Sequence, residues 1–197
     1  MKIYFRPDES TLPSIQLYAQ HRRLWQEHGE SILRAFEKVT GESWQNGVRI
    51  LVVGNWDSEK NGFNSSAGFK SRRGISLRYA SFNPPDWRVL SNLVHELGHR
   101  FIDQHQAGSP HADNEAETLE NHRQLFVFLV DVINRSFKAK LAQKIITEME
   151  ANYNDARKSE SNPYLKAWQW SRQLTFKRRQ EICWLMFAQK IAILPKK

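Results

Sequence analysis

The chain has almost no cysteine and no long apolar run, and both absences narrow what it can be. Cys183 is its only cysteine among 197 residues, which excludes a disulfide framework and every multi-cysteine zinc site. Any metal would have to be held by histidine or carboxylate side chains. No window approaches the ~20 apolar residues that cross a bilayer, and the start MKIYFRPDES lacks the apolar core of a signal peptide. We therefore expect a cytoplasmic protein with no membrane contact.

The composition is that of a globular domain with an uneven charge. Hydrophobic residues make up 40% of the chain and aromatic residues 12%, which predicts one domain over residues 1–197. Residues 134–197 carry 14 lysines and arginines against 5 acidic residues, whereas residues 1–133 carry 15 against 16. The basic region is compatible with an anionic partner, either nucleic acid or an acidic protein, although solvated basic helix faces are more common.

The N-terminal half of the chain combines helical and extended patterns. Apolar positions between residues 13 and 38 predict either one helix or two helices that meet around Gly29. The β-branched run Val48–Val53 predicts a buried strand. Residues 74–82 alternate apolar and polar side chains, which is the pattern of a half-exposed strand, and we expect this strand at an edge of the sheet.

Helices are expected to dominate the rest of the chain. Asp86 is a suitable N-cap, and the residues after it place an apolar side chain every three or four positions as far as Phe101. A second helix is expected from residue 113 or 114, and two more over about residues 137–157 and 164–194. Helices that flank a small sheet in this way give an α+β fold with an all-helical C-terminal part.

The first of these helices carries an HExxH pattern, formed by residues 95–99. Histidines four residues apart lie on one helix face, so His95 and His99 can reach the same metal ion. Glu96 can then reach a water bound to that metal. Zinc lowers the pKa of bound water towards ~7, and a carboxylate can pass the water's proton to a leaving amine. The motif predicts Zn²⁺ as cofactor and Glu96 as general base, and it lacks only a third ligand.

Together with its surroundings, the motif resembles the zincin metallopeptidases. A strand precedes the helix, the motif's own apolar positions continue the apolar stripe, and an acidic helix follows. The resemblance covers about residues 45–135. It implies a zincin-like fold with a small mixed sheet, an edge strand, an active-site helix and a following helix that supplies a glutamate. Further helices flank this core, and those over about residues 136–197 form a basic extension.

One branch of the zincins takes a third histidine from the pattern HExxHxxGxxH. His105 occupies that position, but Ile102 stands where the pattern has glycine. Isoleucine resists the sharp turn that brings the third histidine back to the metal. If the helix continues, His105 lies ten residues after His95, about 1000° around the axis, and points away. His105 is therefore a less favoured third ligand.

In the gluzincin branch the third ligand is a glutamate on the next helix, often with Asp or Asn four residues later to hydrogen-bond a ligand histidine. Only Glu117 has such a residue, Asn121. The resemblance thus implies Glu117 as third ligand and Asn121 behind it, with Glu120 and Glu115 as alternatives. The short connection from His99 to Glu117 is similar to that of minimal gluzincins and the ImmA/IrrE-type peptidases.

The predicted edge strand is the candidate for binding a substrate. An exposed strand can receive a peptide as an added strand, and residues 74–82 would bind it with Leu77 and Tyr79 as contact residues. A donor that stabilises the oxyanion is also expected. Spacing distinguishes none of four candidates, which are His111, His122, Tyr153 and Tyr164.

Two functions of different class follow from these features. The leading hypothesis is a zinc-dependent endopeptidase that acts on a protein or peptide substrate. The alternative is a nucleic-acid-associated protein with a structural or vestigial metal site. In that case the basic residues of 134–197 would follow a phosphate backbone, and interleaved aromatic residues would stack on bases. These aromatic residues are Trp168, Trp170 and Phe176.

Overall fold

The computed structural model describes residues 2–7, 12–53, 65–71, 74–79, 83–105, 114–153 and 162–188. Its elements confirm the expected α+β class. In chain order they are β1 (Ile3–Pro7), α1 (Leu12–Thr40), β2 (Val48–Val53), β3 (Ser65–Ser71), β4 (Gly74–Tyr79), α2 (Asp86–His105), α3 (Glu115–Ser136), α4 (Ala139–Tyr153), α5 (Pro163–Gln173) and α6 (Phe176–Ala188). Among these helices, none combines the length and the apolar character that a membrane crossing requires.

The sheet has four described strands in the order β1-β2-β4-β3. β1, β2 and β4 run parallel, and β3 pairs antiparallel to β4. β4 therefore lies inside the sheet, and the prediction that it forms an edge is wrong. Its alternating side chains do not separate core from solvent, since Ile75, Ser76, Leu77 and Tyr79 are all buried. Burial leaves Leu77 and Tyr79 unable to make the predicted substrate contacts.

α1 is one continuous helix, which agrees with the first of the two predicted alternatives and excludes a break at Gly29. The indole of Trp25, one turn before Gly29, packs over this glycine. A Cβ at Gly29 would lie 2.6 Å from the ring. Gly29 thus admits a close aromatic contact without breaking the helix. Gly41, with φ of +79°, follows directly after the last residue of α1 and ends the helix in the left-handed region.

The hydrophobic core lies where α1, α2 and α3 meet. Phe36 of α1 stacks on Phe101 of α2 with ring centroids 5.4 Å apart, and it meets Phe128 of α3 edge-on at 6.1 Å. All three rings are fully buried. Burial of such a side chain contributes roughly 1.5–3 kcal/mol. This packing fixes α2, which carries the HExxH pattern, against α3.

The C-terminal region forms two helices where the sequence pattern predicted one. α5 ends at Gln173 and α6 begins at Phe176. Arg179 of α6 donates through Nε and Nη2 to the two carboxylate oxygens of Asp131 on α3, both at 2.9 Å. Trp168 of α5 is 1% exposed, so it cannot stack on a nucleic-acid base as proposed from the sequence.

Candidate metal centre

The HExxH pattern lies on the inner face of α2. Its two histidines are one helical turn apart, and their Nε2 atoms are separated by 3.2 Å. The side chain of His95 is 14% exposed. Both imidazoles therefore converge on one point in a nearly closed environment.

A third histidine joins them from the neighbouring helix. His122, in the second turn of α3, has its ring centroid 4.8 Å from that of His99 and 5.5 Å from that of His95. One nitrogen of each of the three residues lies within 4.8 Å of the others. Nδ1–H of His122 donates to the carbonyl oxygen of Thr118 at 2.7 Å, so its Nε2 keeps the lone pair. The three histidines could hold a metal ion.

The chemistry of this donor set fits a transition-metal ion. Nitrogens bound tetrahedrally at 2.0–2.1 Å lie about 3.3 Å apart, close to the 3.2 Å between His95 and His99. Desolvation lowers the pKa of His122 to about 4, and it holds the pKa values of His95 and His99 well below the usual range. All three rings are therefore neutral at pH 7, as imidazole ligands must be.

Gly98 allows the two helices of the centre to approach each other. A Cβ at this position would lie 2.3 Å from Cδ1 of Leu125, which is three residues beyond His122 on α3. Leu125 is fully buried. The glycine inside the HExxH pattern therefore serves the packing that brings His122 to the other two histidines.

Glu96 lies directly beside His95, the first of the three histidines. One carboxylate oxygen is 3.9 Å from Nε2 of His95, and the side chain is 12% exposed. Desolvation raises the pKa of Glu96 to about 8, and the positive charge of Arg100 partly opposes this. Burial thus makes this carboxyl group a strong proton acceptor relative to an exposed glutamate.

The C-terminal helices close the other side of the centre. Tyr153, the last residue of α4, has its hydroxyl 3.3 Å from Nδ1 of His95. Tyr164 of α5 packs on His122 with ring centroids 4.2 Å apart. The predicted core boundary near residue 135 therefore cuts through the centre. Two of the expected oxyanion donors lie at this wall, and His111 falls outside the described residues.

The cluster of possible ligands contains His122 and not Glu117, which was predicted as third ligand. Glu117 is exposed in the first turn of α3, where its backbone N–H donates to the side chain of Asn114, the N-cap. His122 follows five residues later, about 140° around the helix and ~7.5 Å further along it. The two side chains cannot face the same point, so the prediction that Glu117 completes the cluster is corrected.

The other predicted site residues of α3 also have different surroundings. Glu115 is exposed in the first turn, and Glu120 has a carboxylate oxygen 3.9 Å from Arg123. Asn121 is partly buried. The carbonyl of Thr118 accepts a hydrogen bond from His122, one of the three clustered histidines. Neither glutamate belongs to the cluster that the described residues form.

His105 does not turn back towards the motif. α2 continues as far as His105, as the isoleucine at position 102 favours. Its Nδ1 lies 2.8 Å from the carbonyl oxygen of Phe101, and its Nε2 lies 3.1 Å from the carbonyl oxygen of Ser43. Both ring nitrogens thus face backbone oxygens, and His105 contacts the segment after α1.

The position of His122 in the sequence indicates that its side chain is buried. It precedes Leu125, Phe126 and Leu129 by three, four and seven residues, so it begins the apolar stripe of α3. A histidine on the buried face of the helix that follows an HExxH helix is placed to meet the motif.

The chain matches no protein-family model, and neither a curated protein nor a solved structure is significantly similar to it. The functional interpretation therefore depends on the geometry of these residues.

Proposed function

We propose that this protein is a zinc-dependent peptidase with Glu96 as its general base. The observation that carries the proposal is the convergence of three neutral imidazoles with a buried carboxylate beside them, 3.9 Å from Nε2 of His95. A three-nitrogen set leaves a fourth position for water or substrate, which distinguishes catalytic from structural zinc sites.

Each residue has a separate role in this proposal. His95, His99 and His122 bind the metal through one ring nitrogen each. Bound zinc would polarise a substrate carbonyl and lower the pKa of water. Glu96 accepts a proton from the attacking water and returns it to the leaving amine nitrogen. The low exposure of the Glu96 side chain, 12%, keeps bulk water from competing for this proton.

The sheet supplies a surface on which a peptide could extend. β3 is the terminal strand on the β4 side and runs antiparallel to β4. The backbone of an extended peptide can pair with such a strand. We therefore assign to β3 the substrate role that the sequence pattern had suggested for β4.

Glu96→Gln tests the proposal because it removes the proton acceptor and keeps the size of the side chain. We expect about one zinc per chain in both proteins, measured by elemental analysis. Cleavage of a fluorogenic peptide library should fall by at least ~100-fold in the variant. Retained cleavage would exclude Glu96 as the base, and zinc without cleavage in the unmodified protein would indicate a structural metal.

A second candidate function is the binding of single-stranded nucleic acid through α6. Trp184 is 60% exposed and Phe176 46% exposed. Lys177 and Arg178 are exposed on the same helix. Cations combined with accessible aromatic faces are the features that bind a single strand. Arg179 is not part of this surface, because it pairs with Asp131 in the interior.

Charge reversal on α6 tests this second function. Lys177→Glu combined with Arg178→Glu should weaken the binding of a labelled oligonucleotide at low salt by at least ~10-fold, measured by fluorescence anisotropy. Lys138→Glu combined with Lys140→Glu makes the same charge change at exposed positions elsewhere in the basic region. Equal losses in the two double variants would show that α6 is not the binding surface.

A further inference from the structure

The hydroxyl of Tyr153 lies against the outer nitrogen of His95. Its oxygen is 3.3 Å from Nδ1, while Nε2 of the same ring faces His99. An imidazole that gives its Nε2 lone pair to a metal carries its proton on Nδ1. Nδ1–H can then donate to the oxygen of Tyr153, which fixes both the tautomer and the direction of the ring.

Nδ1 of His122 also has a hydrogen-bond partner, but this partner is a backbone carbonyl. Its Nδ1–H donates to the carbonyl of Thr118, one turn earlier on the same helix. That bond is local to α3 and forms with the helix. His95 relies instead on Tyr153, 58 residues later in the chain.

Tyr153 is held rigidly enough to direct another side chain. Its ring is 8% exposed and packs between Phe126, at 5.3 Å between centroids, and Trp168, at 5.6 Å. Its carbonyl accepts a hydrogen bond from Nδ2 of Asn162 at 2.8 Å. Asn162 is buried, and its Oδ1 caps α5 by accepting from the N–H of Tyr164. One side chain therefore joins the end of α4 to the start of α5.

We propose that Tyr153 is a positioning residue that orients His95 for metal binding and thereby raises the metal affinity of the centre. The proposal rests on the proposed function only in so far as the three histidines bind a metal. It gives α4 and α5 a part in the centre, although both helices lie in the basic region beyond the HExxH helix and its neighbour. Partners of this kind change metal affinity by about 10–100-fold when they are removed.

Tyr153→Phe tests this role because it removes the hydroxyl and keeps the ring between Phe126 and Trp168. The full chain, freed of metal, is titrated with Co²⁺ to obtain a dissociation constant, and the absorption spectrum is recorded at saturation. We expect the dissociation constant to rise by at least ~10-fold, with an altered spectrum. Tyr4→Phe is the matched control, because it removes the hydroxyl of a tyrosine that is 56% exposed on β1; its dissociation constant should stay within about twofold.

The outcomes separate the inference from the proposed function. An unchanged dissociation constant in Tyr153→Phe, or an equal rise in both variants, overturns the positioning role. A lower thermal midpoint without any change in affinity or spectrum also overturns it, because the hydroxyl would then serve stability alone. If the unmodified chain binds no Co²⁺, the metal centre and this inference both fail. If it binds Co²⁺ and Zn²⁺ but cleaves no peptide, only the peptidase function fails.

Discussion

The three clustered histidines would be neutral ligands, and this would affect the protonation of Glu96 beside them. Neutral imidazole ligands would leave the full charge of a bound divalent ion in place, whereas a carboxylate ligand would neutralise part of it. Without a metal, desolvation raises the pKa of Glu96 to about 8 even though the charge of Arg100 opposes it. A nearby cation opposes this and favours the ionised carboxylate. A metal held by three histidines, without a carboxylate ligand, would therefore favour the form of Glu96 that can accept a proton.

Comparison of His122→Ala with Glu117→Ala tests the ligand set. We expect His122→Ala to lose bound zinc, because it removes one of three converging nitrogens. Glu117→Ala should retain about one zinc per chain, since its side chain is exposed. Elemental analysis after dialysis against buffer measures both. Zinc lost from Glu117→Ala and kept by His122→Ala would restore the sequence-based prediction.

At the scale of elements, the spacing between α2 and α3 decides whether His122 lies close enough to His95 and His99 to share a metal with them. Gly98→Ala would place a methyl group 2.3 Å from Cδ1 of Leu125. Overpacking of this kind costs about 1–3 kcal/mol, while alanine gains up to about 1 kcal/mol over glycine inside a helix. We expect a net decrease of about 1 kcal/mol in the free energy of unfolding, measured by urea denaturation.

A second substitution reverses the sign of this effect. In a Leu125→Ala background the clashing atom is gone, so Gly98→Ala should stabilise the protein by up to about 1 kcal/mol. The change of sign identifies the contact with Leu125 as the cause. The same effect of Gly98→Ala in both backgrounds would argue against it.

The sequence predicted the elements with strong periodicity and missed those without it. Val48–Val53 and the start of α3 after Asn114 agree with the prediction, because a β-branched run and an N-cap are local signals. β3, with the sequence SSAGFKS, carries little strand pattern, so periodicity does not predict it. Sheet order is not local, so the place of β4 between β2 and β3 could not be read from its alternation.

For the candidate site, the sequence likewise predicted the residues that are close in the chain and missed those that are distant in it. His95, Glu96 and His99 share one helix, and their spacing alone brings them together. His122 and Tyr153 reach the centre through the packing of α3 and α4 against α2. That packing depends on contacts such as Gly98 with Leu125, which link distant parts of the chain. A family pattern for the third ligand was therefore a poorer guide than the buried face of α3.

For the whole molecule, metal binding should add to stability because the ligands come from two helices. A ligand present at about 1000 times its dissociation constant contributes ~4 kcal/mol. For a chain of this size that corresponds to about 10 °C in the thermal midpoint. We expect a chelator to lower the midpoint of the zinc-loaded protein by about this amount, measured by calorimetry. The midpoint of His122→Ala should not respond to the chelator.

The stability of the whole chain should also depend on pH through His21, which joins α1 to β4. Its Nδ1–H donates to the carbonyl of Leu17 at 2.7 Å, and its Nε2 accepts from the hydroxyl of Tyr79 at 3.1 Å. Desolvation lowers the pKa of His21 to about 4, although the bond to Leu17 opposes this. The unfolded chain has the ordinary histidine pKa of about 6.5.

Between pH 4 and pH 6.5, His21 is protonated in the unfolded chain and neutral in the folded chain. The free energy of unfolding is therefore highest above about pH 6.5 and falls as the pH drops towards 4, by at most about 3 kcal/mol from His21. His21→Gln lacks this titration. Urea denaturation of the metal-free proteins should show the variant less stable at pH 7, by about 1–3 kcal/mol for the broken contacts, and this gap should narrow markedly at pH 4.5. A gap of constant size would show that His21 takes up its proton equally in the folded and unfolded chain.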